Sequence, residues 1–138
     1  MAGKIKTYIL DACALIAFLR QEKGDEKLVK LFKDKQNRFY LHSINLGEVY
    51  YDTLRLAGKK QAQELFADVA KLPVEIVWIM DSSFLELVGK YKTSFPMSYA
   101  DSFVLALAER ENGIVVSTDH GEFDAVEKSG KIAFYWLR

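Results

Sequence analysis

The sequence predicts an α/β fold in which helices cover both faces of a mostly parallel β-sheet. Short strand segments alternate with helical segments along the chain, and the strand segments are apolar at consecutive positions. Strands without a polar face are typical of parallel sheets, which are buried on both sides. We therefore expect a three-layer α/β/α sandwich with a mostly parallel central sheet, formed by a single domain over residues 1–138.

The first half of the chain contains two predicted strands and four predicted helices. The helix after the first strand is apolar almost all round, which indicates burial, whereas the next helix has lysines on one face. Ser43 is the predicted cap of the third helix. In order, the elements are a strand over 6–10, helices over 12–20 and 25–35, a strand over 38–42, and helices over 43–58 and 59–72.

The second half repeats the alternation after Pro73. Asp81 and Ser98 are predicted helix caps, and Asn112 with Gly113 is a typical helix end. In order, the elements are a strand over 74–79, helices over 81–91 and 98–112, a strand over 114–117, a helix over 122–128 and a strand over 131–136.

Composition excludes several classes of protein. Lys and Arg number 19 and Asp and Glu number 19, so binding to nucleic acid through overall positive charge is excluded. The single cysteine, Cys13, excludes an intrachain disulfide and a cysteine-based zinc cluster. The start of the chain, Met-Ala-Gly-Lys-Ile-Lys, has no apolar stretch of signal-peptide length, and the longest apolar run, Ala12 to Leu19, is far shorter than a membrane span. A cytoplasmic protein without membrane association is the expectation.

Four carboxylates lie in unusually apolar surroundings. They are Asp11 after the first strand, Glu48 within the third helix, Asp101 in the segment before an apolar helix, and Asp119 after the strand over 114–117. Acidic side chains are seldom buried unless they are paired or bind a metal. Their surroundings therefore make them candidates for function.

Each of these residues also has an ordinary structural interpretation. Asp11 can cap the helix that follows it, and Asp119 can belong to a turn. Glu48 can lie on the solvated face of its helix. Asp101 follows Ser98 at capping-box spacing, and its charge suits the start of a helix.

Taken together, the positions of the four residues favour a shared site. Asp11 and Asp119 both follow the carboxyl ends of strands, which meet at one edge of a parallel sheet. Clustered carboxylates repel each other, and a hard divalent cation removes that cost. We predict Asp11, Asp101 and Asp119 as ligands of Mg²⁺ or Mn²⁺, with Glu48 completing the catalytic set. Metal-dependent hydrolysis of phosphodiester bonds is the corresponding chemistry.

At these residues the sequence resembles a PIN domain, and within that group the toxin nuclease of a VapBC-type toxin–antitoxin pair. The resemblance covers nearly the whole chain, and four segments occur in the order typical of the family. The segments are Ile9-Leu10-Asp11, Asn45-Leu46-Gly47-Glu48-Val49, Tyr99-Ala100-Asp101-Ser102-Phe103 and Ser117-Thr118-Asp119-His120-Gly121-Glu122-Phe123.

The resemblance implies an activity and a set of partners. It implies a Mg²⁺- or Mn²⁺-dependent endoribonuclease whose substrate is RNA. It also implies a homodimer and a small antitoxin protein whose tail occupies the active-site groove. None of these properties is visible in the sequence itself.

The sequence departs from the family pattern after the first aspartate. Relatives often have Ser or Thr there, whereas this chain has Ala12 and Cys13. Thr118 or Ser102 is the expected source of the missing hydroxyl. Asp124 is a second candidate for the outermost acid, in place of Asp119 or in addition to it.

Two alternative functions stay open at this point. A catalytically silent PIN-like module that binds nucleic acid or protein is compatible with the missing hydroxyls. A receiver-type signalling domain also has a parallel sheet with carboxylates at its edge. It requires an acidic neighbour after the first strand, however, and Asp11 is followed by Ala12.

Overall fold

A computed structural model describes residues 5–138 as five strands and seven helices. The strands are β1 (Thr7–Leu10), β2 (Arg38–His42), β3 (Glu75–Val77), β4 (Ile114–Ser117) and β5 (Ala133–Trp136). The helices are α1 (Ala12–Leu19), α2 (Asp25–Lys33), α3 (Ser43–Ala57), α4 (Lys59–Ala70), α5 (Ser82–Ser94), α6 (Tyr99–Glu111) and α7 (His120–Ser129).

All five strands are parallel and form one sheet in the order β3-β2-β1-β4-β5. The strand order reverses at β1, which pairs with β2 on one side and β4 on the other. Leu10 is paired with Val116, so Asp11 and Ser117 follow at the same edge of the sheet. The carboxyl ends of strands at such a reversal are where open α/β sheets bind their ligands.

Helices cover both faces of the sheet and bury two separate cores. Tyr8 and Leu10 of β1 pack with α1, α2, α3 and α4, whereas Ile9 between them packs with α5, α6 and α7. Val115 and Val116 of β4 divide between the two cores in the same way. This alternation explains why the strands are apolar at consecutive positions. The predicted three-layer α/β sandwich is confirmed.

Helix α6 lies in the middle of its layer and positions a carboxylate. Seven consecutive residues after its first turn are buried, from Ser102 to Ala108. Ser98 caps the helix as predicted, with its hydroxyl accepting a hydrogen bond from the backbone N–H of Asp101 at 3.1 Å. Asn112 ends the helix in the left-handed conformation. Asp101 therefore lies in the first turn of a rigid, buried element.

Two predicted helix starts were wrong. Helix α3 is capped by His42 and not by Ser43, because the buried His42 ring accepts the backbone N–H of Ile44 at Nδ1 (3.0 Å). The Nε2 atom of the same ring donates to the carbonyl of Ile79 at 2.8 Å. Helix α7 begins at His120 and not at residue 122, because Asp119 caps it. Among residues 5–138, no helix combines the length and apolarity that crossing a bilayer requires.

A tight contact fixes the turn between α1 and α2, and it generates a stability prediction. Gly24 has a φ of +99°, and a Cβ atom there would lie 2.2 Å from the carbonyl oxygen of Leu137. Gly130 has a similar left-handed conformation, with a φ of +75°, but no neighbour within 4 Å of such an atom. We expect Gly130→Ala to lower the free energy of unfolding by about 1 kcal/mol through backbone strain alone. Gly24→Ala should lower it by roughly 2 kcal/mol more, because the backbone must also shift.

Urea unfolding followed by circular dichroism measures both variants. Equal losses at the two glycines would contradict the close packing of the α1–α2 turn against the C-terminal segment.

Candidate active site

Asp11 is buried at the centre of the carboxyl edge of the sheet, and both of its oxygens are hydrogen-bonded. It is 1% exposed and caps α1, with Oδ1 accepting the backbone N–H of Ala14 at 2.7 Å. Its Oδ2 accepts a hydrogen bond from the hydroxyl of Ser117. Burial raises the pKa of Asp11 to about 7, although these two hydrogen bonds oppose the rise. The cap interpretation of Asp11 therefore holds alongside its place at the site.

Three further carboxylates come together beside Asp11. Asp101 lies in the first turn of α6, Asp119 follows β4, and Glu122 lies in the first turn of α7. One oxygen from each of the three lies within 4.8 Å of the others. Asp119 Oδ1 also accepts the backbone N–H of Glu122 at 3.2 Å, which fixes α7 against this group.

Ser117 connects the two carboxylates that follow β1 and β4. Its hydroxyl donates to Asp11 and accepts the backbone N–H of Asp119 at 2.9 Å. Ser117 is itself buried, so this pair of hydrogen bonds is shielded from water. One side chain therefore sets the relative position of Asp11 and Asp119.

Helix α3 contributes a carboxylate from the opposite layer. Glu48 is half-buried, and its Oε1 atom is buried without a hydrogen-bond partner. Burial raises the pKa of Glu48, and the charges of Asp52, Asp119 and Glu122 raise it further. Asn45, nearly one turn earlier, donates from Nδ2 to the carbonyl of Ala100 at 3.0 Å. That bond ties α3 to the residue preceding Asp101.

The carboxylates act on one another as a single cluster. Burial raises the pKa of Asp101 to about 7, and the charges of Glu122, Glu48 and Asp119 contribute. The charges of Asp101 and Asp119 contribute in turn to the raised pKa of Asp11. We call these five residues the acidic cluster; its members are Asp11, Glu48, Asp101, Asp119 and Glu122.

The donor set of the acidic cluster fits a hard divalent cation. All five side chains offer carboxylate oxygens, which Mg²⁺, Mn²⁺ and Ca²⁺ prefer over nitrogen or sulfur. The buried and unpartnered Glu48 Oε1 is an acceptor that a cation or a cation-bound water would satisfy. Cys13 lies close to these charges, but burial and the neighbouring Asp11 raise the pKa of its thiol to about 12, so it stays protonated.

The structure brings together some predicted side chains and leaves others outside. Asp101 and Asp119 lie in the closest group, with Asp11 and Glu48 beside it. Asp124 lies on an exposed face of α7, where it accepts a hydrogen bond from His120 at 3.0 Å. Ser102 donates to the carbonyl of Ser98 within its own helix.

Sequence reasoning missed two residues of the site. The hydroxyl that reaches Asp11 belongs to Ser117, where Thr118 or Ser102 was expected. The available sequence signal for Ser117 was a hydroxyl residue at the end of an otherwise apolar strand. Glu122 carries only a weak sequence signal, because helices commonly have a glutamate in the first turn.

Comparison with known proteins identifies the family. A family model described as the PIN domain matches residues 8–129. The chain belongs to the PIN domain family. A comparison with curated protein sequences finds no significant match.

Solved structures that resemble this PIN domain are toxin–antitoxin proteins. VapBC2 from Rickettsia felis, bound to a DNA fragment from its promoter, aligns with a TM-score of 0.74 at 16% identity, covering 94% of this chain and 98% of that one. DNA-bound VapBC from Salmonella typhimurium aligns with a TM-score of 0.70 at 17% identity, covering 97% and 100%. At these identities the likeness establishes a shared fold.

A third structure has a stated activity. VapC20 from Mycobacterium tuberculosis, described as a toxin that cleaves the sarcin–ricin loop, aligns with a TM-score of 0.69 at 16% identity. The alignment covers 86% of this PIN domain and 94% of VapC20. The acidic cluster thus lies in a fold that nuclease toxins use.

The raised pKa of Asp101 generates a stability prediction. In the unfolded chain this carboxyl ionises near its ordinary value of 3.8, whereas the folded value is about 7. This difference between the two pKa values stabilises the folded state at low pH, and the stabilisation is lost as the pH rises from about 4 to about 7. In EDTA at pH 8, we expect Asp101→Asn to raise the free energy of unfolding by about 1–2 kcal/mol.

The matched control is Asp124→Asn, which removes a carboxylate from the exposed face of α7. It should change stability by less than about 0.5 kcal/mol. Urea unfolding at pH 5 and pH 8 provides the comparison. A variant Asp101→Asn that is less stable than the native protein at pH 8 would refute a free-energy cost of ionised Asp101 in the folded protein.

Proposed function

We propose that this PIN domain is a divalent-cation-dependent endoribonuclease and the toxin of a toxin–antitoxin pair. The observation that carries the proposal is the acidic cluster, whose Asp101, Asp119 and Glu122 oxygens approach within 4.8 Å at the strand-order reversal. Membership of the PIN family and the fold shared with VapC20 support a nuclease over other hydrolases that use carboxylates.

Asp11, Asp101 and Asp119 are the proposed ligands of Mg²⁺ or Mn²⁺, and Glu122 joins them. When bound, such a cation polarises a phosphoryl oxygen and makes water a stronger nucleophile. Asp11 is held rigid for this role because the N–H of Ala14 donates a hydrogen bond to its Oδ1 and the hydroxyl of Ser117 donates one to its Oδ2. Each oxygen retains a further lone pair for a ligand.

Glu48 is the proposed acceptor of the proton that the attacking water loses. Its Oε1 atom is buried and has no hydrogen-bond partner, and its raised pKa makes it a better base than an exposed glutamate. The Asn45 bond to the carbonyl of Ala100 fixes the helix that carries Glu48 relative to Asp101. The proposed base and Asp101 are thereby supplied from opposite layers of the sandwich.

The partners are proposed from the relatives. An RNA substrate is supported by VapC20, and a small antitoxin protein is supported by the VapBC complexes that share the fold. A homodimer is part of the same proposal. The proposed location is the cytoplasm, which is consistent with an RNA substrate and with a toxin–antitoxin pair of the bacterial type.

A catalytically silent PIN-like module is the alternative function, and one hydrogen bond weighs against it. The main support for the silent module is the absence of a hydroxyl at Ala12 and Cys13. Ser117 supplies a hydroxyl to Asp11 from the neighbouring strand. The departure from the family pattern therefore leaves the carboxylate anchored.

Removal of a ligand should abolish cleavage. We expect Asp101→Asn and Asp119→Asn to reduce cleavage of RNA at least about 100-fold, because each removes a charge that the cation needs. Asp68→Asn, on the exposed face of α4, should change the rate by less than about twofold. Cleavage of a structured RNA with Mg²⁺, Mn²⁺ or EDTA measures these effects. Equal cleavage in excess EDTA would refute the proposed mechanism.

Calorimetry with Mn²⁺ separates the enzyme from the silent module. Saturable binding that Asp119→Asn removes supports the metal site independently of any RNA target. Absence of such binding favours the silent module.

The Ser117 contact provides a further prediction. Ser117→Ala removes the donor to Asp11, and we expect the affinity for Mn²⁺ and the cleavage rate to fall by roughly 10-fold. Ser102→Ala is the matched control, since that equally buried hydroxyl bonds within its own helix. A Ser117→Ala variant with unchanged Mn²⁺ affinity would show that Asp11 needs no support from β4.

A further inference from the structure

Three aromatic rings form a continuous stack beside the acidic cluster. Phe134 and Trp136 project from the same side of β5, with ring centroids 5.2 Å apart and planes inclined by 7°. The His120 ring, at the start of α7, lies on Trp136 with centroids 3.8 Å apart and planes inclined by 19°. We call these three residues the aromatic stack; His120 is its outer end.

Hydrogen bonds fix the two polar rings of the aromatic stack. Trp136 Nε1 donates to a carboxylate oxygen of Glu127 at 2.9 Å. His120 Nδ1 lies 3.0 Å from a carboxylate oxygen of Asp124, and Nε2 lies 2.9 Å from the carbonyl oxygen of Arg138. Rotation of the His120 ring would break both contacts. The outer ring is therefore held in one orientation before any ligand arrives.

The outer face of His120 is accessible to a ligand. Trp136 covers one face of the ring, and the His120 side chain is still 48% exposed. Asp119 of the acidic cluster is the preceding residue in the chain. A flat ligand on this face would therefore lie against a residue next in the chain to a carboxylate of the cluster.

We propose that the outer face of His120 binds a nucleobase of the RNA substrate, by stacking. This inference depends on the proposed ribonuclease function and adds a subsite to it. The stacked base belongs to a nucleotide next to the phosphate at the acidic cluster. Aromatic side chains bind the bases of single-stranded RNA in this way.

The surroundings of His120 favour a base over a phosphate as the occupant. Asp124 and Glu127 each contact a ring of the aromatic stack, and Asp119 of the acidic cluster precedes His120 in the chain. Carboxylates repel a phosphate, whereas a base is neutral. Both ring nitrogens of His120 already face protein oxygens, so the open face of the ring is its free contact surface. Because every base has a π-face, the subsite should accept any base.

An abasic scan tests the subsite directly. The probes are short unstructured RNA oligonucleotides, each lacking one base. Binding is measured in Ca²⁺, and a gel verifies that the RNA stays intact during the measurement. For the native protein, we expect one abasic position to weaken binding about 10-fold. His120→Ala should weaken binding of the complete RNA by a similar factor, and should make the affinity insensitive to the base at that position.

Two further variants separate stacking from other effects. His120→Phe keeps a ring without its hydrogen bonds and should retain affinity within about threefold. Trp78→Ala removes an exposed aromatic side chain after β3, which is the outermost strand on the other side of the sheet from β5, and should leave affinity unchanged.

The outcomes distinguish the subsite from the nuclease proposal. RNA binding and cleavage by the native protein, with no position sensitive to base removal, would overturn the subsite alone. The subsite would also be overturned if the loss of RNA affinity caused by His120→Ala and the loss caused by removal of the base were additive. A native protein that neither binds nor cleaves RNA would overturn both proposals.

Discussion

The site is built on carboxylates whose ionisation is opposed first by burial and then by their mutual repulsion. Five acidic side chains occupy one edge of a parallel sheet, and burial raises the pKa of Asp11 and Asp101 to about 7. Apolar residues at these two positions would cost less free energy on folding. Part of the cost is offset by helix N-termini, because Asp11 caps α1, Asp119 caps α7 and Asp101 lies in the first turn of α6. A divalent cation would offset the remainder.

The sandwich resists this repulsion because rigid elements hold each carboxylate. Asp11 follows β1 and Ser117 ends β4, and these two strands pair at the centre of the sheet, so the separation of the two residues is set by strand register. Helix α6 is anchored along its length by consecutive buried residues on the sheet, and Asn45 connects it to α3. Two independent cores, one on each face, support the two sides of the cluster. Local relaxation, which would separate the charges, is therefore opposed from both layers.

Several features could be predicted because they depend on short stretches of chain. Consecutive apolar residues in the strands identified a parallel sheet, and Asp81 and Ser98 were identified as caps from their position before a helix. The cap at His42 was missed because it requires a buried ring whose second nitrogen bonds to Ile79, far away in the chain. Ser117 was missed for the same reason, since its partner Asp11 is more than a hundred residues distant in sequence.

Local patterns of apolar and charged side chains are enough to predict the class of fold and to mark four acidic residues as unusual. Which oxygens meet depends on contacts between distant segments, which are visible in the folded structure. It placed Glu122 with Asp101 and Asp119, left Asp124 on the exposed face of α7, and assigned the supporting hydroxyl to Ser117. The physical reason is that such contacts depend on strand order and on where each helix begins. A shift of one residue on a helix turns a side chain by about 100°.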